Sequence, residues 1–328
     1  MKNNFLILLI TLSIVGTACE SQRSKEEVTR EEVTYKEAPS FSQDSAYAYT
    51  QKQVDFGPRV PNTIGHANTR QWLIEKFKEF GWGVELQEFT ATTHDGLQWD
   101  LTNIIASFNP EASKRILLAA HWDTRRVADK DSERQDEAIP GANDGGSGVG
   151  LLLEVARTLG EVENKPEVGI DIILFDGEDD GEPESKKNRS QSTIWWCLGS
   201  QHWSKNKHEP SYSAYFGILV DMVGGRGARF YKEGYSVQYA KNVVDKVWKY
   251  GHHLGHSDFF IMRQSEPITD DHLFVNENAN IPMINIIEYS PDYGFGHYHH
   301  THADDMDLID KRTLKAVGET VLFTIYQE

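Results

Sequence analysis

The run Gly169-Ile170-Asp171-Ile172-Ile173-Leu174-Phe175 empties directly into Asp176-Gly177-Glu178-Asp179-Asp180-Gly181-Glu182. An almost continuous apolar stretch of this length, closed by a glycine turn, reads as a strand covered on both faces, the kind found in the sheets of α/β proteins. In such folds ligands gather at the carboxyl ends of the central strands. So many carboxylates cannot crowd together there unaided. Either water solvates them in an open loop, or a cation neutralises them and takes further oxygen or imidazole ligands from elsewhere in the chain.

Such ligands recur at equivalent junctions. Residues 115–120 read as a strand that ends at His121-Trp122-Asp123, and residues 213–220 read as another that ends at Asp221. The loop Pro140 to Gly148 places Asp144 just ahead of an apolar helix expected over 149–159. This loop fails G-x-G-x-x-G in every register, and Ser147 fails G-x-S-x-G because Val149 takes the final glycine position. Its glycines therefore read as permitting close backbone approach around Asp144. A last central strand over 281–287 leads to His297-Tyr298-His299-His300-Thr301-His302-Ala303-Asp304, a tract whose composition alone suggests metal binding. Glu178 and Asp179 are adjacent at a strand end, so their side chains point in different directions. One is free to bind a metal while the other faces a reactant as a base.

The remaining elements are ordinary for the class. Helical patterns cover 46–54 and 69–80, the second with Trp72, Leu73, Phe77 and Phe80 on one face and Gly81 as its stop. Residues 84–90 and 101–108 read as an edge hairpin. A helix over 239–250 turns Val243, Val244, Val247 and Trp248 inward, and a final helix over 311–326 buries Leu314, Val317, Val321 and Leu322. Asp180, Glu182 and Glu184 continue into a polar, solvated loop. Trp195 and Trp196 follow it, either walling a pocket or packing in the core. The expected architecture is α/β: one three-layer domain over 40–328, with a mixed central sheet flanked by helices.

Composition narrows the partners. With 50 acidic against 33 basic residues in 328, the net charge of -17 argues against nucleic acid as a partner. Two cysteines are too few for a disulfide framework. Residues 1–18 have Lys2, an apolar core over 5–15 and small residues before Cys19, which reads as a secretory signal. Cys19 resembles a bacterial lipoprotein site, with Gly16 where that pattern usually has Leu. Residues 19–39 are charged, repeat EEVT and read as a flexible tether. The expectation is an exported protein, periplasmic or anchored to the outer membrane through lipid alone, and acting as a monomer.

His121, Asp144, Glu178 with Asp179, Asp221 and a terminal histidine occur in an order that resembles the zinc aminopeptidase-like family M28. His300-Thr301-His302-Ala303-Asp304 fits that family's His-Thr-x-x-Asp pattern, which selects His300 among its neighbours. The resemblance implies one zinc site at Asp144, Asp179 and His300, a second or vestigial one at His121, Asp144 and Asp221, and Glu178 as base. Asp179 stands where Glu is more usual. A narrower resemblance, carried by Asp55 to Pro61, Asn103 to Pro110, Phe175 to Glu178 and Asp270-Asp271-His272, is to the glutaminyl-peptide cyclotransferases. It implies a single zinc, peptides or proteins with N-terminal glutamine as substrates, conversion of that glutamine to pyroglutamate with loss of ammonia, and a proton-sharing pair of Asp221 and Asp271. It also implies a pocket walled by Trp195 or Trp196, with His299 where animal members carry Trp. The alternatives are a two-zinc aminopeptidase using the same ligands, and a non-catalytic module binding peptide or metal.

Overall fold

The computed structural model describes residues 34–183, 186 and 193–328. The expected signal, Cys19 and most of the tether lie outside the described residues, as does Glu184. Residues Lys36–Glu328 fold as one compact unit. It begins ahead of residue 40 because Lys36 is stitched to the C-terminus: its N–H donates to Gln327 Oε1 at 2.9 Å, and Gln327 Nε2 donates back to the Lys36 carbonyl at 2.9 Å.

In chain order the elements begin with α1 (Gln43–Asp55), α2 (Ile64–Glu79), β1 (Gly83–Thr92), β2 (Gln98–Phe108) and β3 (Arg115–His121). There follow α3 (Gly146–Glu161), β4 (Gly169–Phe175), α4 (Leu198–Lys205), β5 (Phe216–Asp221), β6 (Phe230–Lys232) and α5 (Gly234–His253). The last are β7 (Phe260–Gln264), α6 (Asp271–Phe274), β8 (Met283–Ile287), β9 (Tyr289–Ser290), β10 (Gly294–Phe295) and α7 (Lys311–Tyr326). A six-stranded sheet runs in the order β1-β2-β4-β3-β5-β8. The hairpin β1/β2 and the pair β2/β4 are antiparallel, whereas β4/β3, β3/β5 and β5/β8 are parallel.

The period of two along each strand builds the layers. Leu118, Ala120, Ile172, Leu174, Ile218 and Val220 face one core, which is filled from α1, α2, α3, α5 and α7. Leu117, Ala119, Ile173, Phe175 and Leu219 face a smaller core with Trp203 of α4 and with Val275 and Ala279 beyond α6. Both faces of the central strands are covered, which is why they read as unbroken apolar runs. Asp171 is the one charge within β4, and it is matched: Arg115 Nε and Nη2 donate to it at 2.6 and 2.7 Å, joined by Ser107 and Tyr212.

Two helices, expected from 69 and 239, start five residues earlier than their apolar periodicity indicates, at Ile64 and Gly234, and in both cases a cap is the reason. The Thr63 side chain accepts the His66 N–H, starting α2 at Ile64, and Glu233 accepts the N–H groups of Tyr235 and Ser236, starting α5 at Gly234.

Candidate active site

Because β4, β3, β5 and β8 are parallel, their carboxyl ends share one edge of the sheet, and the site assembles there. His121 closes β3, Glu178 and Asp179 follow β4, Asp221 closes β5, and the chain after β8 returns with His299 and His300. Asp144 arrives on the loop before α3. That loop must run close to His121: Gly145 has φ 77°, and a Cβ there would lie 2.9 Å from the His121 ring and from the Asp123 carbonyl. Only glycine fits.

Two buried carboxylates hold the backbone that carries these ligands. Asp123 accepts the N–H groups of Glu178 and Asp179 at 3.0 and 3.1 Å. Asp304 accepts those of Asn143 and Asp144 at 2.7 and 3.0 Å. The Asp at the end of the His-Thr-x-x-Asp pattern thus positions Asp144, while the His of the same pattern faces it.

Two clusters result, sharing Asp144. In one, His300 Nε2 lies 3.1 Å from Asp179 Oδ1 and 4.0 Å from Asp144 Oδ2. In the other, His121 Nε2 lies 3.1 Å from Asp144 Oδ1 and 3.2 Å from Asp221 Oδ1. The ligand atoms of Asp144, His299 and His300 fall within 4.8 Å of one another, as do those of His121, Asp144 and Asp221. Asp144 Oδ2 and Asp179 Oδ2 are buried with no hydrogen-bond partner among the described residues. Buried carboxylate oxygens without donors, gathered around imidazole nitrogens, are a donor set that suits zinc. Asp179 reaches His300 despite its short arm, because Asp123 fixes its backbone.

A loop after β3, unread in the sequence, lines up with the histidine tract. Asp129 Oδ1 lies 3.5 Å from His300 Nδ1, Lys130 Nζ lies 2.6 Å from His299 Nδ1, and Asp131 Oδ2 lies 2.8 Å from His302 Nδ1. The ion-pair partner of His302 among the described residues is Asp131, whereas His300 Nε2 faces Asp144 and Asp179, which supports His300 as the ligand. A carboxylate behind a ligating histidine fixes its ring and raises its basicity. His300 sits at φ 60°, a strained conformation for a non-glycine residue.

Beside the clusters lies a cavity of about 680 Å³, whose lining includes Glu178, Asp179, Trp196, Asp221, Asp270 and His300. Of the two tryptophans, Trp196 lines it and Trp195 does not. Neither packs in the core. The Trp196 ring stacks near His300, centroids 5.7 Å apart, with the Arg125 guanidinium 4.8 Å from its centroid. Arg125 also donates to the Asp179 and Gly181 carbonyls, both at 3.2 Å, tying that wall to the ligand loop.

Glu178 faces this cavity, and the Cys197 thiol donates to its Oε1 at 3.2 Å. Burial, with Asp179, Asp270 and Asp271 nearby, pushes the Glu178 carboxyl well above its ordinary range, although His121 opposes the shift. Asp221 is raised to about 7, chiefly by burial and against its hydrogen bond from His121, with Asp270 and Asp144 adding to the rise. Burial, with Asp270 next in weight, likewise drives Asp271 well up. The Asp221 hydrogen bond is made to His121, and Asp270 rather than Asp271 is among the cavity-lining residues. Cys197, Asp270, Arg125 and Lys130 were not singled out from the sequence. Only Asp270, beside Asp271 in a quoted motif, carried a local signal.

A mixed sheet with helices on both sides and a shared-carboxylate cluster at its strand ends defines an enzyme of the zinc aminopeptidase-like class. Residues 103–325 match peptidase family M28. The structure superposes on Tannerella forsythia glutaminyl cyclase with a TM-score of 0.85, at 50% identity over 88% of this chain and 100% of that one. It superposes equally well on a Zn-dependent exopeptidase from Parabacteroides distasonis, with a TM-score of 0.86 at 48% identity over 89% of this chain and 100% of that one. The glutaminyl-peptide cyclotransferase of Drosophila melanogaster is 25% identical over 179 residues, covering 53% of this chain and 47% of its own length. The chain belongs to peptidase family M28, and within it to the glutaminyl cyclases.

Proposed function

We propose that this chain converts the N-terminal glutamine of peptides or proteins to pyroglutamate, releasing ammonia. The observation that carries the reading is the placement of Glu178: outside the two clusters that share Asp144, facing the cavity, its Oε1 fixed by Cys197. The likeness to the Tannerella enzyme, across almost the whole domain, supports it.

Asp144, Asp179 and His300 would hold zinc, which when bound supplies Lewis acidity to a carbonyl oxygen and stabilises the negative charge that develops on it. Glu178 is placed to take a proton from the substrate's α-amine. The amine nitrogen then bonds to the side-chain carbonyl carbon, the bond from that carbon to the amide nitrogen breaks, and Glu178 returns the proton to the departing ammonia. No water is consumed. Asp221 and Asp270, which both line the cavity, are placed to accept hydrogen bonds from the amine and orient it toward its own side chain. Trp196 covers one wall.

A second reading is favoured by one observation. His121, Asp144 and Asp221 form a complete three-residue set for a second ion, as a two-zinc aminopeptidase would need. Counting primary amines during turnover separates the two. Cyclisation removes a peptide amine and releases ammonia, whereas hydrolysis of the first peptide bond adds an amine and releases none.

Export and a lipid anchor at Cys19, with a monomeric domain held off a bacterial membrane by residues 19–39, complete the proposal. Their support is the sequence of residues 1–39. Cys19→Ala is expected to leave activity intact and release the protein from membranes; a variant that stays membrane-bound contradicts the anchor.

A further inference from the structure

We infer that Lys130 is a positioning residue that locks His299 in one tautomer, so that His299 presents Nε2–H to the cavity as a hydrogen-bond donor for a carbonyl oxygen of the bound glutaminyl residue. The inference rests on the cyclase reading only for the identity of that oxygen. Lys130 Nζ lies 2.6 Å from His299 Nδ1. An ammonium has donors and no acceptor, so the nitrogen it meets must carry the lone pair, and the ring proton must sit on Nε2.

The rest of the ring is accounted for by elimination. Phe295 covers one face, centroids 4.0 Å apart and nearly parallel at 6°, and His300 stacks at 3.7 Å. The Nδ1 edge is closed by Lys130. His299 lines the cavity, and Nε2 has no hydrogen-bond partner among the described residues. The edge left to meet a ligand is therefore the one bearing Nε2–H.

Lys130 is itself held in place from two sides. Its backbone N–H donates to the His300 carbonyl at 3.3 Å, and its ammonium lies 5.5 Å from the centroid of the Phe295 ring that His299 stacks upon. A lysine free in solvent would exchange among rotamers; this one is fastened to the tract it orients. Lys130 supplies no ligand atom to either cluster, so it acts through the His299 imidazole it meets.

The test uses the zinc-loaded full chain, labelled with ¹⁵N-histidine, and assigns His299 by difference with His299→Gln. The wild-type ring is expected to show a protonated Nε2 and an unprotonated Nδ1. Lys130→Met should release that preference and raise KM for a glutamine-initiated peptide about fivefold, the loss of one modest hydrogen bond, with kcat changed by less than about twofold. Lys130→Arg, which keeps a donor, should restore both. A wild-type ring protonated on Nδ1, or bound to zinc through Nε2, overturns the inference. So does a Lys130→Met variant with unchanged tautomer and unchanged KM. A wild-type chain that releases no ammonia contradicts the cyclase reading alone, because the nitrogen spectrum still reports the tautomer.

Discussion

The thiol of Cys197 donates to Oε1 of Glu178 at 3.2 Å, while the Cys197 N–H donates to the Glu178 carbonyl at 2.9 Å. A residue at the start of α4 thus fixes both the backbone and one carboxylate oxygen of the group placed to move protons. Cys197→Ala removes a weak donor worth about 1 kcal/mol, which should lower kcat about fivefold with zinc content unchanged. Cys197→Ser should retain most of the activity. Equal kcat in wild type and Cys197→Ala would show that the thiol does not hold the base.

Glu178→Gln keeps the shape and removes the proton acceptor. Turnover should fall by about 10²–10⁴, the range typical of general acid–base catalysis, with zinc still bound. Metal analysis beside steady-state kinetics decides the point. Retained turnover would remove Glu178 from the proposed mechanism.

His300→Ala should release zinc, because the variant leaves Asp144 and Asp179 without their imidazole partner. His302→Ala should not, since the ion-pair partner of His302 among the described residues is Asp131 rather than Asp144 or Asp179. Zinc lost from the second variant and kept by the first would reverse the assignment.

Acid stability gives a prediction away from the chemistry. Glu233 caps α5 and accepts from His272 Nε2 at 2.9 Å, anchoring the Asp270-Asp271 segment. Burial alone raises Glu233, but the hydrogen bonds from His272 and Ser236 outweigh it and bring the carboxyl to about 2, below its ordinary 4.5. A folded value below the unfolded one means stability that is full above pH 4.5 and lost as pH falls toward 2. Glu233→Gln should therefore be less stable than wild type by roughly 3 kcal/mol near neutrality, with the gap closing below pH 4.5. A gap independent of pH in urea unfolding contradicts the assignment.

Much of the site could be read from the sequence because each ligand ends an apolar run or opens one. His121, Asp179 and Asp221 follow strands whose burial on both faces makes them conspicuous, and Asp144 sits in a glycine-rich loop before a buried helix. The His-Thr-x-x-Asp spacing selected His300, and the reason is now visible: Asp304 holds Asp144 while His300 faces it. The partners in the loop after β3 had no such signal. Lys130 meets His299 across 169 residues of sequence, and nothing in the local pattern of 125–139 marks that contact. Helix starts shifted for a related reason, since Thr63 and Glu233 act through single capping bonds rather than through periodicity. Trp196 was not separable from Trp195 until the chain placed one ring against His300.

The central claim is tested most directly by mass spectrometry of a short glutamine-initiated peptide incubated with the zinc-loaded protein. The account predicts a product lighter by one ammonia with every peptide bond intact. Free glutamine and a peptide shortened by one residue would contradict it, and would assign the His121, Asp144 and Asp221 cluster to a second ion.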